Sequence, residues 1–161
     1  MFSVFGLPLH PLVVHATVVF VPLAAILVLV AALWPRAARM VGPLPFIVSV
    51  LALVLVPITT ASGEDLEHKV DKSALLEAHT RLGDQLLPWV IGLSVAAAFM
   101  AWQWYRGRKG DDAQRRTPPR GLVLAVTALA VVAAIGTTVQ VARIGHSGAE
   151  AAWSDVVSSG S

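Results

Sequence analysis

Four apolar runs, each long enough to cross a bilayer, decide what this chain can fold into. They cover about Pro11 to Trp34, Leu44 to Ala61, Leu86 to Tyr105 and Leu122 to Ile144, and a spanning helix needs about 20 such residues. In lipid every backbone amide must find its partner inside the protein, which restricts short spans of this kind to helices. The expected fold is therefore an all-α membrane protein: one four-span domain over residues 1–161, a transmembrane bundle with antiparallel neighbours. With 56% hydrophobic and 14% charged residues, little chain remains for a soluble catalytic domain. The absence of cysteine excludes disulfides, thiol catalysis, iron–sulfur ligation and thioether-linked haem.

The sequence pI near 9.5 does not point to nucleic acid, because the basic residues flank the spans. Eight of the twelve lie in the loops 35–43 and 106–121, which the positive-inside rule places in the cytoplasm. Both termini and the connection 62–85 then face the non-cytoplasmic side, as expected for a bacterial plasma-membrane protein. Trp34, Trp102 and Trp104 would mark the inner interface, Trp89 and Trp153 the outer. No basic residue precedes the first span, so it reads as retained and not as a cleaved signal. The outer connection carries six carboxylates, Glu64, Asp65, Glu67, Asp71, Glu77 and Asp84, with Leu66, Val70, Ala74 and Ala78 at four-residue spacing. That pattern predicts an interfacial helix leading into the third span. Gly92 with Ala96, and Ala125, Ala128, Ala133 and Gly136, supply small surfaces for helix approach. No internal repeat stands out.

All five histidines fall on the predicted outer side. His10 and His15 bracket the start of span one, His68 and His79 lie in the connection, and His146 follows span four. At 1.5 Å per residue His15 sits about 6 Å below Pro11, close to the interface. Imidazoles on facing helices are how bundles hold haem or metal, and neutral imidazole suits iron, zinc and copper. His15 with His79 is the first expected haem b pair, with His10 and His146 in reserve; for zinc or copper the same four would be the candidate ligands. His10 and His15, five apart, are turned about 140° from one another on a helix and cannot serve one small metal from one face. His68, eleven residues before His79, returns to nearly the same face and could form an outer gate. Glu64, Asp65, Glu77 and Asp84 could orient the ring nitrogens or accept protons. Runs of this kind more often keep an exposed connection soluble.

The stretch Gly145-His146-Ser147-Gly148 imitates the Gly-x-Ser-Gly pattern of intramembrane serine proteases. A nucleophile elbow needs a strand before it, and an apolar helix precedes this one. Ser147 is accordingly not expected to be a nucleophile, and no catalytic residue is assigned. With no charged residue near mid-membrane, transport has no evident ion path.

The run HPLVVH (His10 to His15) before an apolar helix containing Pro22, the ASG turn closing span two, a histidine shortly before span three and RIGHSGAEAAW after span four together resemble the predicted membrane family called domain of unknown function 2231. The resemblance covers His10 to Trp153. It departs at Ala16 and Thr17, where relatives carry an aromatic residue and proline sooner, and in the long basic loop before span four. Fusions of relatives to cytochrome-like domains imply a redox setting. The resulting expectation is a haem- or metal-binding redox protein, an accessory subunit among respiratory-chain proteins in the lipid bilayer. The alternatives are a structural or assembly subunit with no cofactor, and an outer-face divalent-metal sensor or carrier.

Overall fold

The computed structural model describes residues 3–4, 7–67, 74–108 and 118–159. A two-residue antiparallel pairing of Ser3–Val4 (β1) with Leu7–Pro8 (β2) precedes six helices. These are α1 (Leu9–Leu33), α2 (Pro35–Val41), α3 (Leu44–Glu67), α4 (Ala74–Asp84), α5 (Leu86–Arg108) and α6 (Arg120–Ser159). Four helical stretches are long and apolar enough to cross a membrane: Leu12–Leu33, Leu44–Asp65, Ala74–Arg108 and Arg120–Glu150.

The short α2 turns the chain between the first two spans. It ends at Gly42, whose φ of +56° suits a residue without a side chain. The indole of Trp104 lies against Gly42, 3.0 Å from where a Cβ would stand, and so ties this turn to the end of α5.

α1 packs against α3 and α6, and α5 packs against the same two. The bundle is thus a square with α1 opposite α5. Exchanging the hairpin α1–α3 for the hairpin α5–α6 maps each of these contacts onto another. Alanine dominates the seams: Ala25, Ala96, Ala97, Ala130, Ala133 and Ala134 are buried around Val28 and Leu93. Lipid tails are as apolar as leucine, so close backbone approach has to replace the hydrophobic effect in holding helices together. Gly92 meets Ala133 across α5 and α6. Trp89, expected at the outer interface, instead lies directly on Gly136, where no side-chain carbon would fit. Ala125 and Ala128 are exposed and take no part.

The sparse buried polar groups mostly bond locally. Ser49 Oγ donates to the Pro45 carbonyl at 2.6 Å, and Ser94 Oγ reaches the carbonyls of Val90 at 2.9 Å and Ser49 at 3.2 Å, linking α5 to α3. Gln140 Nε2 donates to the Leu82 carbonyl at 2.7 Å, docking α4 on α6. Where the sequence predicts an interfacial helix between spans two and three, the chain forms the helix α4. Only Gln85 separates it from α5, and it packs along α6 beside the end of α3.

Two boundaries differ from the sequence reading. α3 does not stop at Ala61 in an ASG turn but continues to Glu67, and α6 does not stop at Ile144 but continues to Ser159. Within these continuing helices Ser62 Oγ bonds back to the Thr59 carbonyl and Ser147 Oγ to that of Ile144. In α6 the alanines after Gly148 are strong helix formers, and His146 pairs with Glu150 one turn on.

Candidate functional site

The antiparallel order brings four helix ends together: the start of α1, the end of α3, α4 leading into α5, and the last third of α6. Arg36, Arg39, Arg106, Arg108 and Arg120 gather at the opposite end. Between the four helix ends lies a cavity of about 540 Å³, within the range of cofactor pockets. Val14, Val18, Val56, Leu76, Leu86, Val141 and Ile144 make most of its wall apolar, and His10 and His79 both line it.

Each imidazole is held in the same way. His10 Nδ1 lies 2.9 Å from Ser62 Oγ, so the start of α1 is bonded to the end of α3. His79 Nδ1 lies 3.0 Å from Ser147 Oγ, joining α4 to α6. A glycine follows each serine, and each ring rests on it. A Cβ on Gly63 would stand 3.1 Å from His10 Cε1, and one on Gly148 would stand 3.0 Å from His79 Cε1. Glycine inside a helix costs roughly 0.5–1 kcal/mol relative to alanine, and here the missing carbon is the space the imidazole uses. Below His10, Thr17 Oγ1 and Thr59 Oγ1 are 2.6 Å apart and add a second polar tie between α1 and α3.

Burial holds the His10 imidazole below its ordinary pKa. The Thr59 carbonyl, bonded to the ring, pulls the other way, and the nearby His79 adds to the lowering. Proximity to His79 is itself informative, since it puts the two rings within electrostatic reach across the chamber.

The remaining candidates are dispersed. His15 is exposed on α1 and outside the lining, so the structure does not bring it together with His79. His146 is exposed and pairs with Glu150 at 3.2 Å, apart from His10. His68 lies outside the described residues. Glu64 and Asp84 line the chamber. Glu77 pairs with Arg81 at 3.6 Å on an exposed face, and Asp65 is exposed beyond the lining.

Ser147 Oγ also lies 3.0 Å from the Ile144 carbonyl of its own helix, and the same arrangement recurs at Ser62 with Thr59 and His10. The two histidine–serine contacts are thus duplicates, one in each hairpin.

The serines and glycines are the functional residues the sequence did not single out as a set. The readable signal was a Ser-Gly pair closing spans two and four, each answered by a histidine opening spans one and three.

No curated protein and no solved structure matches the chain. The family described as "Predicted membrane protein (DUF2231)" matches residues 6–160, nearly the whole length. Membrane-spanning helices, the histidine-opened hairpins and this match agree, and the chain belongs to the DUF2231 family of predicted membrane proteins.

Proposed function

We propose that this is a membrane redox protein in which His10 and His79 hold one haem b between the two hairpins. The observation that carries the reading is that two imidazoles, from opposite hairpins and each fixed at Nδ1, line a single apolar chamber. The donor count favours haem over a bare ion. Among the described residues no group of three His, Cys, Asp or Glu is disposed to hold a metal, whereas a porphyrin leaves its iron only two axial positions to be filled. Bound there, haem would supply one-electron transfer. The residues around it supply mostly apolar walls and two imidazoles each held at Nδ1. An accessory role beside respiratory-chain proteins fits a chain with so little structure outside the membrane.

The test is the absorbance of the full chain purified after haem-replete expression. A Soret band that shifts on reduction is expected, lost in His10→Ala and His79→Ala and kept in His15→Ala and His146→Ala. A colourless protein, or a band that depends on His15 or His146 instead, overturns the reading.

A second reading has its own observation. Among its described residues the lining offers Glu64 and Asp84 but no lysine or arginine, so haem propionates would find no cation there. On that reading the histidines are structural staples between helices, each bond worth about 1 kcal/mol, and the protein is an assembly subunit. It predicts that His10→Ala lowers thermal stability while association with membrane partners is unchanged.

A further inference from the structure

The two histidine–serine contacts can be resolved to the level of the proton. Ser62 Oγ lies 2.9 Å from the Thr59 carbonyl oxygen, and Ser147 Oγ lies 3.0 Å from the Ile144 carbonyl oxygen. A carbonyl has no proton to give, so in these two contacts the serine is the donor when a hydrogen lies between the oxygens. That arrangement has each serine give its single proton to its own helix. Its lone pairs are then what Nδ1 meets at 2.9 Å in one hairpin and 3.0 Å in the other. An unprotonated Nδ1 in that position would set lone pair against lone pair. The arrangement that avoids this has each ring carry its proton on Nδ1, in a relay that runs Nδ1–H to Oγ–H to carbonyl.

We infer that Ser62 and Ser147 are matched positioning residues that lock His10 and His79 as Nδ1–H tautomers, so that two equivalent Nε2 lone pairs are offered to one ligand requiring two nitrogen donors. Neutral imidazole in water prefers the opposite tautomer, with the proton on Nε2. Without the serines, each ring would present a donor where the ligand needs an acceptor. Gly63 and Gly148 complete each half-site by leaving room for the ring edge. The inference deepens the haem reading and rests on it only for the identity of the ligand.

The two ideas can fail separately. Nitrogen-15 NMR of the histidine-labelled full chain in detergent, with no haem present, reads the tautomers directly. His10 and His79 are expected as Nδ1–H. Ser62→Ala should convert His10 alone to the Nε2–H form, Ser147→Ala should convert His79 alone, and Ser→Thr at either position should restore the wild-type pattern. Thermal unfolding of each variant identifies any that has lost its fold, and the threonine variants then carry the comparison. With haem added, loss of a hydrogen-bond partner behind a ligating imidazole should weaken retention by about ten- to a hundred-fold. A colourless protein with both rings as Nδ1–H sinks the haem reading and leaves this one standing. Wild-type rings in the Nε2–H form overturn the inference, as do tautomers and haem retention that ignore both serine substitutions.

Discussion

A buried imidazole and its serine illustrate how much one residue's surroundings decide. His10 is depressed in pKa chiefly by burial, so the folded state prefers it neutral. The unfolded chain takes up a proton first as pH falls, and folding loses the advantage. The His10 contribution is complete above about pH 6.5, the ordinary histidine value, and is lost as the pH falls through the lower folded value. Thermal unfolding in detergent at pH 7.5 and 5.0 should show lower stability at acid pH, and His10→Gln should shrink the difference. A pH response unchanged by His10→Gln would assign the effect elsewhere in the chamber, where His79, Glu64 and Asp84 also face the cavity. Gly63→Ala and Gly148→Ala test the ring seats. Alanine gains up to about 1 kcal/mol in helix propensity while its methyl displaces the imidazole by a few tenths of an ångström. Near-unchanged stability with weakened ligand retention is the expected pair of results. At this scale the sequence showed that the histidines share one end, but not which two meet. His10 and His15 differ by five residues, and only the rotation of α1, set by its packing on α3 and α6, turns His10 inward and leaves His15 outside the lining.

Among the helices, length and apolarity made the spans legible, because lipid leaves the backbone no alternative to the helix. Their ends were less legible. Ser-Gly in a soluble chain often signals a stop, whereas here α3 and α6 run on through it, each glycine taken up by a histidine ring. Of the described glycines, Gly136 has the least room, because Trp89 lies directly on it. Gly136→Ala forces the indole off α6, and overpacking of this kind costs about 1–3 kcal/mol, more than the helix propensity gained. A lower thermal midpoint in detergent is expected, with recovery when Trp89→Leu is added. An unaltered midpoint would show that the indole moves freely and that the α5–α6 seam rests on the alanines alone.

For the whole molecule, the asymmetry of charge fixes an expected orientation: Arg36, Arg39, Arg106, Arg108 and Arg120 at one end, the chamber at the other. The chain has no cysteine, so a single introduced thiol reports without background. Ala149→Cys, beside the chamber, should react with a membrane-impermeant maleimide in intact cells, whereas Met40→Cys, 88% exposed at the arginine end, should react only after permeabilisation. The reverse pattern would invert the topology and put the chamber in the cytoplasm. The correspondence between hairpins escaped the sequence because it is written in four residues, His10, Ser62, His79 and Ser147, separated by spans whose side chains need only be apolar. Its consequence concerns the guest and not the host. A chamber whose two walls offer the same donor has no preferred sense of insertion, so a guest with unlike edges should settle in either of two orientations. The first hairpin's end brings Glu64 to the chamber where the second has Ala149, and the second hairpin brings Asp84, so two carboxylates in unlike places are left to tell one orientation from the other. Doubled resonances of the bound guest, in unequal proportion, would be their signature, and Glu64→Gln and Asp84→Asn should each change the ratio of the two populations.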